Sequence, residues 1–92
     1  MTSSKADKSY MFYVYVLYSK VNGDIYIGST ADVEPRVFRH NAGKVKSTKA
    51  DRPWSLVEVH EYNTRSEAVR SEKFFKMHQQ RELIRRRHNL PQ

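Results

Sequence analysis

Hydrophobic and polar positions alternate along the first part of the chain in a way that predicts a β-hairpin. Residues 13–28 read YVYVLYSKVNGDIYIG, with runs of β-branched and aromatic residues on either side of Asn22-Gly23. Both residues of this dipeptide tolerate the positive φ values of a tight turn. The pattern therefore predicts two antiparallel strands joined at residues 22 and 23.

The register of this hairpin determines where its tyrosines point. A two-residue loop would pair Tyr15 with Thr30 and Tyr26 with Ser19. Because successive side chains of a strand point to opposite faces of the sheet, both phenols would then lie on one face. A loop with an odd number of residues would put them on opposite faces.

The periodicity of the remaining sequence predicts two helices and a third strand. A helix over residues 33–41 follows the hairpin, and residues 54–62 alternate as a strand. Thr64 and Glu67 form a capping-box pattern, which marks the start of a second helix. We expect that helix to run to about residue 80.

The predicted third strand has apolar residues on both of its faces. Strict alternation puts Leu56 on the face of Trp54, and it puts Val57 and Val59 on the opposite face. A strand with two apolar faces is expected at the centre of a sheet or beneath helices.

The order of these elements, β-β-α-β-α, predicts an α+β fold: a small antiparallel three-stranded sheet flanked by helices, to which a C-terminal helix could be added. A chain of 92 residues is long enough for one domain. We expect a flexible tail at residues 1–10, a compact domain at residues 11–80, and a basic helix or tail at residues 81–92.

The charge of the chain favours a polyanionic partner. Its net charge is +7, and nucleic acid is the commonest partner of such small basic domains. The sequence has no cysteine, which excludes disulfides and thiolate-bound zinc. No apolar run approaches the roughly 20 residues that cross a bilayer. We therefore expect a cytoplasmic protein without membrane contact.

Cationic residues are concentrated in two segments, the loop between residues 41 and 53 and the segment after residue 80. Both are expected to contact phosphates of a nucleic acid. The alternative for the second segment is that Leu83 and Ile84 dock on the sheet and make it part of the core. The cationic residues are Lys44, Lys46, Lys49 and Arg52 in the loop, and Arg81, Arg85, Arg86 and Arg87 in the C-terminal segment.

The first predicted helix has two ionisable residues on its hydrophobic stripe. Val33, Arg36, Val37 and His40 recur at the spacing that places side chains on one helix face. The valines indicate the sheet-facing side, so Arg36 and His40 are expected at the boundary between core and surface. The alternative is a purely structural role, with the stem of Arg36 lying along the core.

The second predicted helix has a carboxylate in a stripe of the same kind. Ala68, Glu72 and Phe75 are spaced to share one face. A carboxylate inside an apolar stripe requires a partner, and the residues alone favour a salt bridge from Glu72 to Arg36 or Arg65.

The ionisable residues of the hairpin and the two helices together resemble the GIY-YIG nuclease domain. The resemblance covers residues 12–75 and is that of a small stand-alone bacterial-type member. It departs from the family's name at one point, because the chain has Tyr13-Val14-Tyr15 where the first half of the motif would read Gly-Ile-Tyr. The matching residues are Tyr15, Tyr26-Ile27-Gly28, Arg36, His40 and Glu72.

The resemblance implies a catalytic role for each of these side chains. Tyr15 would activate the attacking water, and Tyr26 would orient groups around it. Arg36 would approach the scissile phosphate, and His40 would take or relay the proton. Glu72 would hold a single Mg²⁺ or Mn²⁺ ion, with water and phosphate oxygens as the other ligands.

A tyrosine that acts as a base requires an explanation, because its ordinary pKa is near 10. Neighbouring cations lower such a pKa, and the candidates are Arg36, the metal ion and a lysine of the 41–53 loop. We expect one of them to lower the pKa of Tyr15. The sequence leaves open whether Tyr15 or His40 finally holds the proton.

The resemblance implies a divalent-metal-dependent endonuclease that hydrolyses DNA phosphodiester bonds by attack of water, with residues 11–80 as the nuclease-like domain. Single-stranded or structured DNA is favoured, because so small a protein surface can hardly read a long duplex site. The alternative is a non-catalytic basic module that binds DNA or RNA, for example on the ribosome. Specificity would come from the basic segments, the shape of the substrate, or a partner protein.

Overall fold

The computed structural model describes residues 11–91. The predicted tail at residues 1–10 lies outside them. The structure confirms the predicted α+β fold, including the additional C-terminal helix. None of the helices in the described part of the chain is long and apolar enough to cross a membrane. The elements are β1 (Phe12–Ser19), β2 (Ile25–Thr30), α1 (Val33–Asn41), a 3-10 turn (Lys49–Asp51), β3 (Trp54–Tyr62), α2 (Arg65–Phe75) and α3 (His78–Arg87).

The sheet has the strand order β2-β1-β3, and helices pack on both of its faces. On one face Val14 of β1 lies in a cluster with Ala68 of α2 and Ile84 of α3. On the other face Tyr15 of β1 lies in a cluster with Val37 of α1. Of the two positions considered for β3, the central one is wrong: β3 is an edge strand, which contacts both α1 and α2.

The hairpin forms as predicted, but its register differs. Tyr15 pairs with Gly28 and Tyr26 with Leu17, so the predicted pairs with Thr30 and Ser19 are wrong. The N–H of Ser19 still bonds to the carbonyl of Asp24 at 2.8 Å, so residues 20–23 close the turn. Because this number is even, both tyrosines lie on the same face, as predicted.

Side-chain contacts of Ser19 and Asn22 stabilise this longer loop. Ser19 Oγ accepts hydrogen bonds from the backbone N–H groups of Val21 and Asn22, both at 3.2 Å. Asn22 Oδ1 accepts one from the N–H of Asp24 at 3.0 Å, and Gly23 takes a positive φ of 81°. These bonds stabilise a loop that is longer than the predicted two residues. The register of the hairpin is therefore shifted by two residues, from Thr30 to Gly28 opposite Tyr15.

A bulge in β3 changes which side chains share a face. The pairing with β1 shifts between Val16 and Leu17, and Val57 packs on the side of α2 and α3. Val59 pairs with Tyr15 and therefore faces α1. The prediction that Val57 and Val59 share a face is wrong, because the extra residue of the bulge reverses the alternation.

The second predicted helix is divided into two. α2 begins at the predicted cap, where Thr64 Oγ1 accepts a hydrogen bond from the N–H of Glu67 at 3.1 Å. It ends at Phe75 rather than near residue 80. Met77 has an extended backbone, with φ −66° and ψ 144°, and α3 begins directly after it. Neither glycine nor proline marks this break, so the sequence pattern did not reveal it.

α3 is docked on the sheet. Ile84 is fully buried in the cluster that contains Val14, so the segment is part of the core rather than a free basic tail. Of the two alternatives for this segment, docking of the apolar pair is the one that the structure shows, although only Ile84 is buried and Leu83 is 43% exposed. α3 also runs across residues 80 and 81, where the sequence predicts the end of the compact domain.

Candidate active site

Tyr15 and Tyr26 lie side by side on the face of the sheet that α1 covers. Their ring centroids are 6.2 Å apart. Tyr15 is on the central strand and is fully buried, whereas Tyr26 is on the edge strand and is half-buried. Tyr26 also contacts Trp54, whose ring is buried as part of the same cluster. The two phenols therefore differ in their access to solvent.

Gly28 leaves the space that the Tyr15 hydroxyl occupies. A β-carbon at this position would lie 2.7 Å from Tyr15 Oη and 2.8 Å from its Cζ. Side chains do not approach so closely, so any other residue at position 28 would displace the Tyr15 ring. The glycine of the Tyr-Ile-Gly sequence is thus explained by the position of the first tyrosine.

His40 is brought to the tyrosines by the hydrophobic stripe of α1. Val33 and Val37 pack against the cluster of Tyr15, and His40 follows on the same helix face. His40 is 1% exposed, and its Nε2 lies 2.9 Å from Tyr15 Oη. Its other ring nitrogen, Nδ1, lies 2.8 Å from Thr48 Oγ1. The imidazole is therefore held from both sides, deeper than the predicted boundary between core and surface.

The pKa of Tyr15 is raised and the pKa of His40 is lowered, and both shifts favour the neutral form of the side chain. Burial raises the pKa of Tyr15, and Tyr26 raises it further, although the half-buried Arg36 nearby opposes both. Burial also lowers the pKa of His40, as do the charges of Arg36 and Arg39. The expectation that a cation lowers the pKa of Tyr15 below its ordinary value is therefore wrong, because burial outweighs Arg36. At neutral pH the phenol is protonated and the imidazole is neutral.

Glu72 lies on α2 with partners at both carboxylate oxygens. Oε1 accepts a hydrogen bond from Ser29 Oγ at 2.7 Å, and Oε2 forms an ion pair with Lys76 Nζ at 2.8 Å. Burial acts to raise the pKa of Glu72, but the bonds from Lys76 and Ser29 lower it on balance. Glu72 thus forms a salt bridge, as predicted. Its partner is Lys76, so the predicted partners Arg36 and Arg65 are wrong.

Glu72 and the two tyrosines lie on opposite faces of the sheet. Gly28 pairs with Tyr15, whereas the next residue, Ser29, pairs with Val14 on the side of α2. Consecutive residues of a strand point to opposite faces, so Ser29 connects Glu72 to the strand from behind the tyrosines. Because β2 is an edge strand, the two groups lie on either side of the sheet edge.

The four cationic residues of the 41–53 loop are all exposed, as expected for residues that contact phosphates. This loop is attached to β3 by Asn41, whose side chain accepts from the N–H of Trp54 at 2.6 Å and donates to its carbonyl at 3.1 Å. The exposed residues are Lys44, Lys46, Lys49 and Arg52.

The arginines of α3 are mostly engaged within the protein. Arg81 Nη1 and Arg85 Nη1 each donate to a carbonyl of the hairpin region, at 2.9 Å, and Arg87 forms an ion pair with Glu58 at 2.8 Å. The side chain of Arg86 is exposed and makes no hydrogen bond or ion pair within residues 11–91. A role for these four residues in binding nucleic acid stays a prediction, and Arg86 is the member best placed for it.

Sequence reasoning missed three side chains that contact the predicted site residues. Lys76 follows Glu72 by four residues, a spacing that brings helical side chains together and could have been recognised. Ser29 follows the motif glycine on a strand, which gave its direction but not its partner. Thr48 lies in a loop, where periodicity gives no signal.

Comparison with known proteins agrees with this geometry. The model of the GIY-YIG catalytic domain matches residues 11–87. A UPF0213 protein of Staphylococcus haemolyticus is 42% identical over 79 residues, which cover 82% of this chain and 95% of that protein. A UPF0213 protein of Streptococcus agalactiae is 42% identical over 65 residues, which cover 70% of this chain and 73% of the relative.

A solved structure has the same fold. The solution NMR structure of a UPF0213 protein from Bacillus halodurans superimposes with a TM-score of 0.51 and 34% identity, covering 80% of this chain and 81% of that one. The match to the family model extends from β1 to the end of α3. The chain therefore belongs to the GIY-YIG family of nuclease domains, in which its relatives are the UPF0213 proteins.

Proposed function

We propose that this protein is a divalent-metal-dependent endonuclease that hydrolyses phosphodiester bonds of DNA by attack of water, without a covalent intermediate. The observation that supports this most directly is the buried hydrogen bond of 2.9 Å between Tyr15 Oη and His40 Nε2. A protein that only binds nucleic acid has no need for a phenol directed at a neutral imidazole in its interior. The rival function, a non-catalytic basic module, is supported only by the exposed cations of the 41–53 loop, which both functions share.

His40 is the proton acceptor in this proposal. Tyr15 cannot act as a stable phenolate, because burial raises its pKa. As its oxygen takes a proton from water, its own proton passes to Nε2 of His40, which is neutral and already in hydrogen-bond contact. Tyr15 is fully buried, so water reaches it only past a neighbour that extends to the surface, either Tyr26 or Arg36.

Arg36 supplies positive charge beside the reacting phosphate. It is half-buried on the same stripe of α1 as His40, and its guanidinium is close enough to oppose the raised pKa of Tyr15. A planar fork of N–H donors suits the non-bridging oxygens of a phosphate. When Arg36 binds a phosphate, its guanidinium moves away from the Tyr15 hydroxyl.

The residues present fit a metal ion held through Glu72. Its carboxylate has a lowered pKa and is ionised at neutral pH, and the Lys76 side chain at Oε2 is 47% exposed and free to move aside. No cluster of three or more His, Cys, Asp and Glu side chains is placed to hold a metal within residues 11–91. Mg²⁺ is commonly held by one carboxylate with water and phosphate oxygens, and Mn²⁺ is the alternative. The ion would stabilise negative charge on the phosphate.

The substrate we propose is single-stranded or structured DNA, with any further specificity supplied by a partner protein. The exposed cations near the site lie on the 41–53 loop and on α1, at Arg39, an arrangement that suits backbone contacts more than the reading of base sequence. The bacterial relatives keep their DNA in the cytoplasm, so the cytoplasm is the proposed location.

Glu72→Gln and Arg36→Ala are each expected to abolish cleavage while DNA affinity stays within a few-fold. Glutamine keeps the size of Glu72 but lacks the negative charge that holds a cation, and alanine removes the guanidinium beside Tyr15. Cleavage of labelled single-stranded and branched DNA with Mg²⁺ or Mn²⁺, measured beside affinity without metal, checks this. Glu61→Gln, at an exposed acid of β3, is the control and should cleave normally. Equal losses of cleavage and of affinity would contradict the proposal.

Replacing Lys44, Lys46 and Lys49 together by glutamine should flatten the salt dependence of DNA binding. Each phosphate contact contributes about −0.7 to the slope of log affinity against log salt on single strands, and about −0.9 on duplex DNA. Three lost contacts would reduce the slope by roughly two to three units by the same relation. Lys20→Gln, at an exposed position of the hairpin loop, is the matched control. An unchanged slope in the triple variant would exclude the loop from the binding surface.

A further inference from the structure

Thr48 is a buried polar residue that neither the sequence motif nor the proposed reaction includes. It lies in the 41–53 loop, yet it is only 2% exposed. Its hydroxyl oxygen lies 2.8 Å from Nδ1 of His40, on the opposite side of the ring from Tyr15. A chain of hydrogen-bonded groups thus leads from Tyr15 through His40 to Thr48.

The contact of Thr48 with Val45 favours one direction for these hydrogen bonds. Thr48 Oγ1 lies 3.4 Å from the carbonyl oxygen of Val45, which can only accept. A hydroxyl hydrogen directed at Val45 leaves the oxygen to accept from Nδ1–H of His40. A neutral imidazole has one N–H, so Nε2 then has a free lone pair and accepts the phenolic hydrogen of Tyr15.

We propose that Thr48 is a positioning residue, which holds His40 as the Nδ1–H tautomer so that Nε2 is ready to take the proton of Tyr15. In its catalytic consequence the inference rests on the proposed function. The other tautomer would direct an N–H group at the Tyr15 oxygen, and His40 could then no longer accept the proton.

Hydrogen bonds to its N–H and carbonyl groups hold the backbone of Thr48 in place. The N–H of Thr48 donates to the carbonyl of Val45 at 3.1 Å. The carbonyl of Thr48 accepts from Trp54 Nε1 at 3.0 Å and from the N–H of Asp51 at 3.2 Å. These bonds fix the main chain of Thr48, from which the hydroxyl contacts His40.

The other polar groups near His40 do not replace Thr48. Arg36 and Arg39 of the same helix carry positive charge and only donate hydrogen bonds. Tyr15 is engaged at Nε2, and Tyr26 contacts the ring at a centroid distance of 4.8 Å. Within residues 11–91, Thr48 Oγ1 is the polar side-chain atom within hydrogen-bond distance of Nδ1.

The experiment compares Thr48→Val with Thr48→Ser. Valine keeps the shape of threonine but removes the acceptor, whereas serine keeps the hydroxyl. Thr48→Val should lower the cleavage rate about 10- to 100-fold, the range found when the partner that orients a metal-bound imidazole is lost. DNA affinity should be unchanged, and Thr48→Ser should restore the rate to within a few-fold of the original.

A second measurement does not depend on activity. Nitrogen-15 NMR of the histidine ring distinguishes the two tautomers, and His40 should be the Nδ1–H form in the original protein and in Thr48→Ser. In Thr48→Val that form should lose its dominance. The original protein alone gives a decisive result if the valine variant fails to fold, because an Nε2–H tautomer of His40 would overturn the inference.

The outcomes separate this inference from the proposed function. Cleavage by Thr48→Val at the original rate, with the tautomer unchanged, would overturn the role of Thr48 and leave the nuclease intact. A Thr48-dependent Nδ1–H tautomer in a protein that cleaves no DNA would support the positioning of His40 and refute the nuclease.

Discussion

Tyr15→Phe is expected to reduce the rate of DNA cleavage by about 10²- to 10⁴-fold, the usual effect of removing a general base. The substitution removes only the hydroxyl, and the ring keeps its place in the cluster above Gly28. DNA affinity should therefore change little, and the protein should fold with a stability lowered by the loss of the hydrogen bond to His40. Single-turnover cleavage with saturating enzyme measures the effect, and Tyr18→Phe, on the opposite face of the same strand, is the matched control.

Tyr26→Phe shows which phenol meets the attacking water. Tyr26 is half-buried, whereas Tyr15 is fully buried, so a role for Tyr26 limited to orientation predicts the smaller loss of rate for its variant. A larger loss for Tyr26→Phe would move the base to Tyr26. Cleavage by Tyr15→Phe at the full rate would remove Tyr15 from the reaction altogether.

Ile84→Ala is expected to lower the free energy of unfolding by about 2–5 kcal/mol, because Ile84 is fully buried where α3 meets the sheet. Small domains are stable by only about 5–15 kcal/mol, so this one change would remove a large part of the total. Deleting residues 81–92 would in addition expose the apolar face of β1, and the shortened chain should not fold. Denaturant unfolding followed by circular dichroism measures both effects.

The control for Ile84 is its neighbour. Leu83 is 43% exposed, so Leu83→Ala should destabilise the fold clearly less than Ile84→Ala. The opposite reading of this segment is a basic tail that binds phosphates. That interpretation would be correct if the shortened chain remained folded and its slope of log affinity against log salt fell by roughly two to three units, as expected for the loss of about three phosphate contacts.

Two of the α3 arginines have a structural role at the hairpin. Arg81 and Arg85 donate to the carbonyls of Ile25 and Gly23, which lie at the start of β2 and in the hairpin loop. Backbone carbonyls that leave the sheet ladder need such partners. α3 therefore supports the strand on which Tyr26 and Gly28 lie, and this connects the C-terminal segment to the candidate site.

The sequence by itself determined those features that depend on near neighbours in the chain. The alternation around Asn22-Gly23 was sufficient for the hairpin, and the shared face of Tyr15 and Tyr26 held because the loop kept an even length. The stripe of α1 placed His40 toward the sheet, and the Thr64 cap marked the start of α2. These features follow from backbone geometry and side-chain spacing, which the order of residues fixes directly.

Only the tertiary structure decided the features that depend on contacts between distant segments. The bulge in β3 and the break at Met77 arise from how strand and helix fit the sheet. Burial, which no local pattern measures, raises the pKa of Tyr15 against the opposing charge of Arg36. The bond from His40 to Thr48 joins a helix to an irregular loop, so spacing could not predict it.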